Sequence, residues 1–307
     1  MALLGNCTPA SPRTHFLAYS TDFDSEDFNE TFSDADFYFG DFAFYANVRM
    51  DMKQTADSIE YHSDWDSFNT SVYSHWPNPS LGYSGSNTGS DVLKVIESFL
   101  DNTQVPVCGS VIHICLKRYP NELDIDNLVA RIRQSHSVVN VLIPTNSSGG
   151  LYPQTMYNLA TKTNGLGLFA ERQWDGSVDG AIDLSDESPY ITYSTNVAVS
   201  GNRSVTLPSM SAPPCMHFIF ITVQDSGIMS TFQNMSLTFH GSTDTYTLTL
   251  EYKWLWGYTN YIWDSHNFTD TNYSVTLDYQ YSDSKQQILQ IRVNSWHRID
   301  YWIPYAN

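Results

Sequence analysis

The chemistry this sequence offers is mostly that of oxygen donors. Asp22, Asp24 and Glu26 stand at alternate positions, and Ser84 to Ser90 reads Ser-Gly-Ser-Asn-Thr-Gly-Ser, a hydroxyl-rich loop. Alternating acids suggest a calcium loop, but a helix–loop–helix calcium site needs Gly at its sixth position and Glu at its twelfth. Neither is present, so the acids read as the solvated first turn of a helix. The loop runs into Val92, Val95, Ile96, Phe99 and Leu100, which recur at helical spacing. Ser90 is the expected N-cap, with Asp91 in the first turn where the helix dipole favours negative charge. Loops that end at a helix N-terminus are where open α/β sheets present ligand groups.

Catalytic patterns are absent. There is no G-x-S-x-G elbow, no H-E-x-x-H and no phosphate loop with G-K-[ST]. No pair of acids stands out as a glycosidase pair, and the nine histidines lie without ligand spacing. Cys7, Cys108, Cys115 and Cys215 are too scattered for zinc, and four cysteines allow three connectivities. The expectation is a protein that is not an enzyme and carries no cofactor and no metal.

The elements that must position such groups fall into two textures. His15 to Tyr19 reads as a buried strand, Phe28 and Phe32 as one face of a helix, and Asp41 to Asp51 as a second strand. Residues 62–83 show no clean period and read as loop with at most a short helix. Val111 to Leu116 and Val138 to Ile143 are near-continuous apolar runs, as parallel strands covered on both faces require; His113 reads as a packed core histidine. Leu123 to His136 and Tyr152 to Thr163 are amphipathic helices, the second closed by Asn164-Gly165, and Leu166 to Ala170 is the last strand of this half. Strand–helix alternation with short links is the pattern of an α/β doubly wound sheet.

Residues 175–188 read as a linker or short final helix, and from Pro189 onward period two takes over. Tyr246 to Tyr258 and Tyr273 to Tyr281 alternate apolar and polar, while His217 to Val223 reads as fully buried. Seven or eight short strands make an antiparallel β-sandwich. The expected domains are 1–185, α/β, and 186–307, all-β.

With 307 residues, 16% charged and a net charge of −18, the chain is a poor partner for nucleic acid or an anionic membrane surface. No stretch approaches the roughly 20 apolar residues of a membrane span. Asn-X-Ser/Thr sequons stand at Asn6, Asn29, Asn69, Asn146, Asn202, Asn234, Asn267 and Asn272, glycosylation sites if the chain is secreted. The Met1-Ala-Leu-Leu-Gly start lacks a full signal peptide, so either the secretion signal is missing from this version of the chain or the protein stays inside the cell, and the expectation is secretion.

Three places in the N-terminal half resemble a von Willebrand factor A domain: Ala18 to Asp22, Ser86 to Gly89, and Lys117-Arg118. In that family the corresponding D-x-S-x-S, T-N-T-G and D-G segments hold a divalent cation at the top of the sheet, which coordinates a partner's carboxylate. The resemblance covers residues 12–175 and implies a rim built from Ser20, Asp22, Ser86 and Lys117. Ala18 and Lys117 stand where the family has carboxylates, so the resemblance implies a site that has lost its metal. Two readings of Lys117 remain open. Either its charge replaces the cation, pairing with Asp22 or a partner's acid, or Lys117 and Arg118 are simply exposed loop residues. In the A-type topology the first and fourth strands are parallel neighbours. Cys7 and Cys108 each precede one of them, which implies a Cys7–Cys108 disulfide, with Cys115 a buried thiol and Cys215 free or the alternative partner.

The two-domain arrangement also resembles a family of secreted nematode proteins of uncharacterised activity, through Phe16 to Ser20, Ser204 to Pro208 and Asp300 to Asn307. The function expected is a non-catalytic, metal-independent module that binds or adheres to an extracellular protein. The alternatives are a lectin-like β domain that stacks a glycan on Tyr261 and Trp263, and a structural extracellular protein. Trp254 and Trp256, by their parity, read as core.

Overall fold

The computed structural model describes residues 7–33, 42–54, 57–170, 188–228, 230–255 and 259–306. Its first half is built on β1 (Thr14–Ser20), whose seven residues are all buried. A strand buried on both faces needs helices on both, and the chain supplies them. Around β1 lie β2 (Phe44–Met50), β3 (Glu60–His62), β4 (Val111–Cys115), β5 (Val138–Pro144) and β6 (Gly167–Ala170), in the order β3-β2-β1-β4-β5-β6. All pairs are parallel except the edge pair β2–β3. As the A-type resemblance implies, β1 and β4 are parallel neighbours, with His15 opposite Val111.

One face of this sheet packs on α3 (Val92–Leu100), α4 (Asp126–Gln134) and α5 (Pro153–Lys162) through Phe16, Ala18, Ile112, Ile114 and Leu116. The opposite face, including Leu17, Tyr19 and Cys115, packs on α1 (Ser25–Ser33) and α2 (Trp65–Ser74). In α1, Phe28 and Phe32 stack with ring centroids 5.9 Å apart.

Several local expectations change. The stretch 62–83 contains a ten-residue helix, α2, whose N-cap Asp64 accepts a hydrogen bond from Ser67 N at 2.9 Å. Helix α4 begins at Asp126 rather than Leu123, which is 63% exposed. Asp91, not Ser90, occupies the N-cap of α3, while the Ser90 hydroxyl accepts from Val92 N. Thr163 is the C-cap of α5, and Asn164 follows it in the left-handed region at φ of 58°, closing the helix as the Asn164-Gly165 pair predicts.

The second half is a sandwich of two antiparallel sheets. One has the order β11-β10-β13-β8 and the other β12-β9-β14-β7, from β7 (Tyr190–Val199), β8 (Asn202–Ser211), β9 (Cys215–Thr222), β10 (Phe232–His240), β11 (Thr245–Glu251), β12 (Tyr261–Phe268), β13 (Asn272–Tyr281) and β14 (Gln287–Ser295). Strand β13 alternates as its sequence requires, with Tyr273, Val275, Leu277, Tyr279 and Tyr281 all buried. The alternating run expected to reach Tyr258 stops at Glu251, where a 3-10 turn, Tyr252–Leu255, takes over. Trp256, Tyr258 and the Trp254 side chain lie outside what is described, as do the 185/186 boundary and most of the expected 175–188 linker.

Strands β9 and β14 are buried on both faces, because their second face lies against the α/β half. Tyr157 donates to Ile288 O at 2.7 Å, Gly167 N to Gln290 Oε1 at 2.9 Å, and Arg292 Nε to Gly165 O at 3.0 Å. Phe218, Phe220 and Tyr261 complete the contact against Leu142, Leu166, Leu168 and Ala170. Burial pulls the Arg292 guanidinium down to about 9.

At the N-terminal ends of β1 and β4, Cys7 and Cys108 form a disulfide. Cys115 is a buried thiol and Cys215 a half-buried one.

Candidate functional site

The opposite end of the sheet, where β1 and β4 finish, is built around Arg118. This residue is 1% exposed. A guanidinium carries five N–H donors in a fixed planar fork, and here four of them make hydrogen bonds while the whole group pairs with Asp22. Nε and Nη2 both reach Asp22 Oδ2, at 3.0 and 2.9 Å. Nη1 donates to Gly85 O and Thr88 O, each at 2.8 Å, and Nη2 also donates to Tyr83 O at 2.9 Å. The Tyr83 ring lies beneath, its centroid 5.5 Å from the guanidinium carbon.

Neighbouring chain closes over this centre. Ser148 Oγ donates to Asp22 Oδ2 at 2.6 Å, Tyr119 N to Gly149 O at 2.8 Å, and Gly150 N to Ser86 O at 2.9 Å. Two glycines permit the approach. A Cβ at Gly149 would sit 2.1 Å from Arg118 Nη1, and one at Gly82 would sit 1.6 Å from Asp22 Oδ1. Any side chain at either position would therefore push the ion pair apart.

A second layer lies just below. Ser20 Oγ accepts from Lys117 N at 2.9 Å and donates to Asp51 Oδ2 at 2.5 Å. Asp51, at φ of 67°, exchanges hydrogen bonds with Asp91: the backbone N–H of each donates to the carboxylate of the other, both at 3.1 Å. Burial pushes the Asp51 carboxyl up to about 7, and the Asp91 charge adds to the rise against the bonds from Ser20 and Ser90.

Of the four rim residues expected from sequence, the structure places Ser20, Asp22 and the backbone of Lys117 in this cluster. Ser86 is different: its side chain is exposed, and its carbonyl makes the contact with Gly150. The cation is also different. The ion pair with Asp22 belongs to Arg118, which is buried rather than an exposed loop residue, and Lys117 is half-buried. Both residues lie in the bend just beyond β4, which turns the Lys117 N–H to Ser20 Oγ and the Arg118 side chain to Asp22. Asp51, Ser148 and Gly149 were not expected, since they come from separate loops.

Tyr261, expected to be open for sugar stacking, is 2% exposed against the α/β half, and burial raises its hydroxyl pKa well above the ordinary value. Trp263 is 37% exposed. Asn29, Asn146, Asn202, Asn234, Asn267 and Asn272 are exposed. Asn69 is only half-buried, and the hydroxyl of its sequon partner, the buried Ser71, donates to Glu60, which makes it the poorest acceptor. Asn6 lies outside the described residues.

A family model described as "Domain of unknown function (DUF7154)" matches residues 195–296. No curated protein matches the sequence. Among solved structures, the chain is similar to von Willebrand factor type A from Catenulispora acidiphila, at 10% identity and a TM-score of 0.40, covering 95% of this chain and 59% of that one. The chain thus spans less than two thirds of that protein. It is also similar to a carbohydrate-binding module of Cellvibrio mixtus lichenase 5A, at 13% identity and a TM-score of 0.21, covering 37% of this chain and 95% of that one. The C-terminal domain of A223, a structural protein of sulfolobus turreted icosahedral virus, matches at 13% identity and a TM-score of 0.22, covering 34% of this chain and 95% of that one.

Proposed function

We propose that this chain is a secreted, non-catalytic binding module that meets an extracellular protein through the loop rim above Arg118, without a metal. The observation that carries this reading is the buried Arg118 guanidinium, which pairs with Asp22 and donates four hydrogen bonds, one to Asp22 and three to loop carbonyls. A hard divalent cation needs one or two carboxylates plus further oxygens. Asp22, Gly85 O, Thr88 O and Tyr83 O are oxygens of that kind, and an internal cation already engages them. The same bonds hold the 83–88 loop, and with Ser148 and Gly150 the 148–150 turn, in one conformation. Pre-ordering a rim in this way lowers the entropic cost of binding. The exposed groups it presents are Ser86, Asn87 and Thr88, with Lys117 half-buried among them.

The Cys7–Cys108 disulfide supports an oxidising compartment, and the net charge of −18 disfavours nucleic acid as a partner. The lectin-like alternative loses half its surface, since Tyr261 is buried.

The reading is tested by co-purification of the secreted chain with its bound protein in the presence of a chelator. Retention with EDTA and loss on Lys117→Glu is the expected pair of results. A complex that forms only when Mg²⁺ or Ca²⁺ is added would overturn it.

A further inference from the structure

On the face of β12-β9-β14 that continues past the α/β half, three large apolar side chains stand in the open: Met216, Trp263 and Trp296, at 40%, 37% and 42% exposure. Phe218 lies between the two indoles, 6.3 Å from the Trp263 ring and 5.6 Å from that of Trp296. A contiguous aromatic patch of this kind on a soluble surface calls for an occupant.

The register supplies one. Strand β12 is the edge of its sheet, and alternation puts Trp263, Ser265 and Asn267 on this same face. Asn267 is exposed and opens the sequon Asn267-Phe268-Thr269. It pairs directly with Met216, whose carbonyl accepts from Trp296 N at 3.0 Å. Asn267, Met216 and Trp296 therefore form one row across three strands, about 10 Å from end to end at the usual strand spacing. Trp263 lies four residues along β12 from Asn267, about 13 Å away. A sugar chain rooted at Asn267 and leaning inward crosses Met216 first and reaches Trp296 next.

We infer that Asn267 carries an N-linked glycan whose first sugars lie on Met216 and the two tryptophans, so that the chain covers its own apolar patch. The Asn267 amide nitrogen bonds to the anomeric carbon of a lipid-diphosphate-linked oligosaccharide. The carbon–oxygen bond to the diphosphate breaks, the lipid diphosphate leaves with the electron pair, and the amide proton is lost to base. The apolar faces of the sugar rings then pack on indole, as other flat apolar surfaces do. The inference rests on the secretion reading above.

The test uses the full chain secreted from a glycosylating eukaryotic host. Site occupancy is mapped by mass spectrometry at Asn267 and at Asn234 and Asn272, which lie on the other sheet. Oxidative footprinting of Trp263 and Trp296 is then compared before and after native deglycosylation, and in Asn267→Gln, Thr269→Ala and Asn234→Gln. The expected result is occupancy at Asn267 and a several-fold rise in footprinting of both tryptophans on deglycosylation and in the first two variants, with no rise in Asn234→Gln. Occupancy at Asn234 or Asn272 with Asn267 bare overturns the inference and leaves secretion standing. No occupancy anywhere overturns both. Unchanged footprinting overturns the covering role, and tryptophans protected by self-association in every form would make a second copy the occupant instead.

Discussion

Replacing Arg118 by methionine is expected to lower the unfolding free energy by about 3–5 kcal/mol, the range seen when one partner of a buried ion pair is removed. The methionine fills part of the volume but donates nothing. Asp22, whose side chain is 7% exposed, then keeps Ser148 as a donor and loses its counter-charge. The carbonyls of Tyr83, Gly85 and Thr88 lose their donor at the same time. Arg118→Lys restores a charge but not the fork, since an ammonium has three donors at a single point, and it should recover only part of the loss. Arg118→Met combined with Asp22→Asn removes the stranded charge, and should cost less than the two single changes added together. Urea unfolding of the four variants checks this. A loss below about 1 kcal/mol for Arg118→Met would mean that the pair behaves like a surface salt bridge.

Loss of the Cys7–Cys108 crosslink is expected to be comparably severe. The two residues are 101 apart in sequence, and in the chain-entropy model a loop of that size loses about 4–5 kcal/mol of constraint when it is opened. The bond also joins the segments leading into β1 and β4, the central pair of the sheet. Cys7→Ser with Cys108→Ala should therefore unfold at markedly lower denaturant than the wild type, and a reducing agent should move the wild type to the same midpoint. Peptide mapping without reduction that finds Cys7 linked elsewhere, or unlinked, removes the basis for this expectation.

Much of the architecture was legible because burial pattern follows local sequence. The apolar runs at Val111 and Val138 could only be strands covered on both faces, and Tyr273 to Tyr281 only a strand with one wet face. Helix α2 was harder to see, because Ser, Asn and Thr separate its apolar residues Trp65, Phe68 and Val72. The usable signal was Asp64, a capping residue three positions before Ser67. The two-faced burial of β9 was legible in the continuous apolar run from His217 to Val223, but Tyr261 and the second face of β14 were beyond reach, since their burial is set by docking against the α/β half and leaves no trace in period two. The choice between Lys117 and Arg118 was equally hidden, because both lie in the bend beyond β4, where strand alternation no longer fixes which side chain turns inward.

The central claim is that an internal guanidinium occupies the seat where the A-type resemblance implies a divalent cation. Calorimetric titration of the purified chain with Mg²⁺, Mn²⁺ and Ca²⁺ tests it most directly. The account predicts no binding heat at millimolar concentrations and no rise in melting temperature, because any ion must first displace Arg118 from Asp22. Micromolar binding that disappears on Ser20→Ala would contradict it.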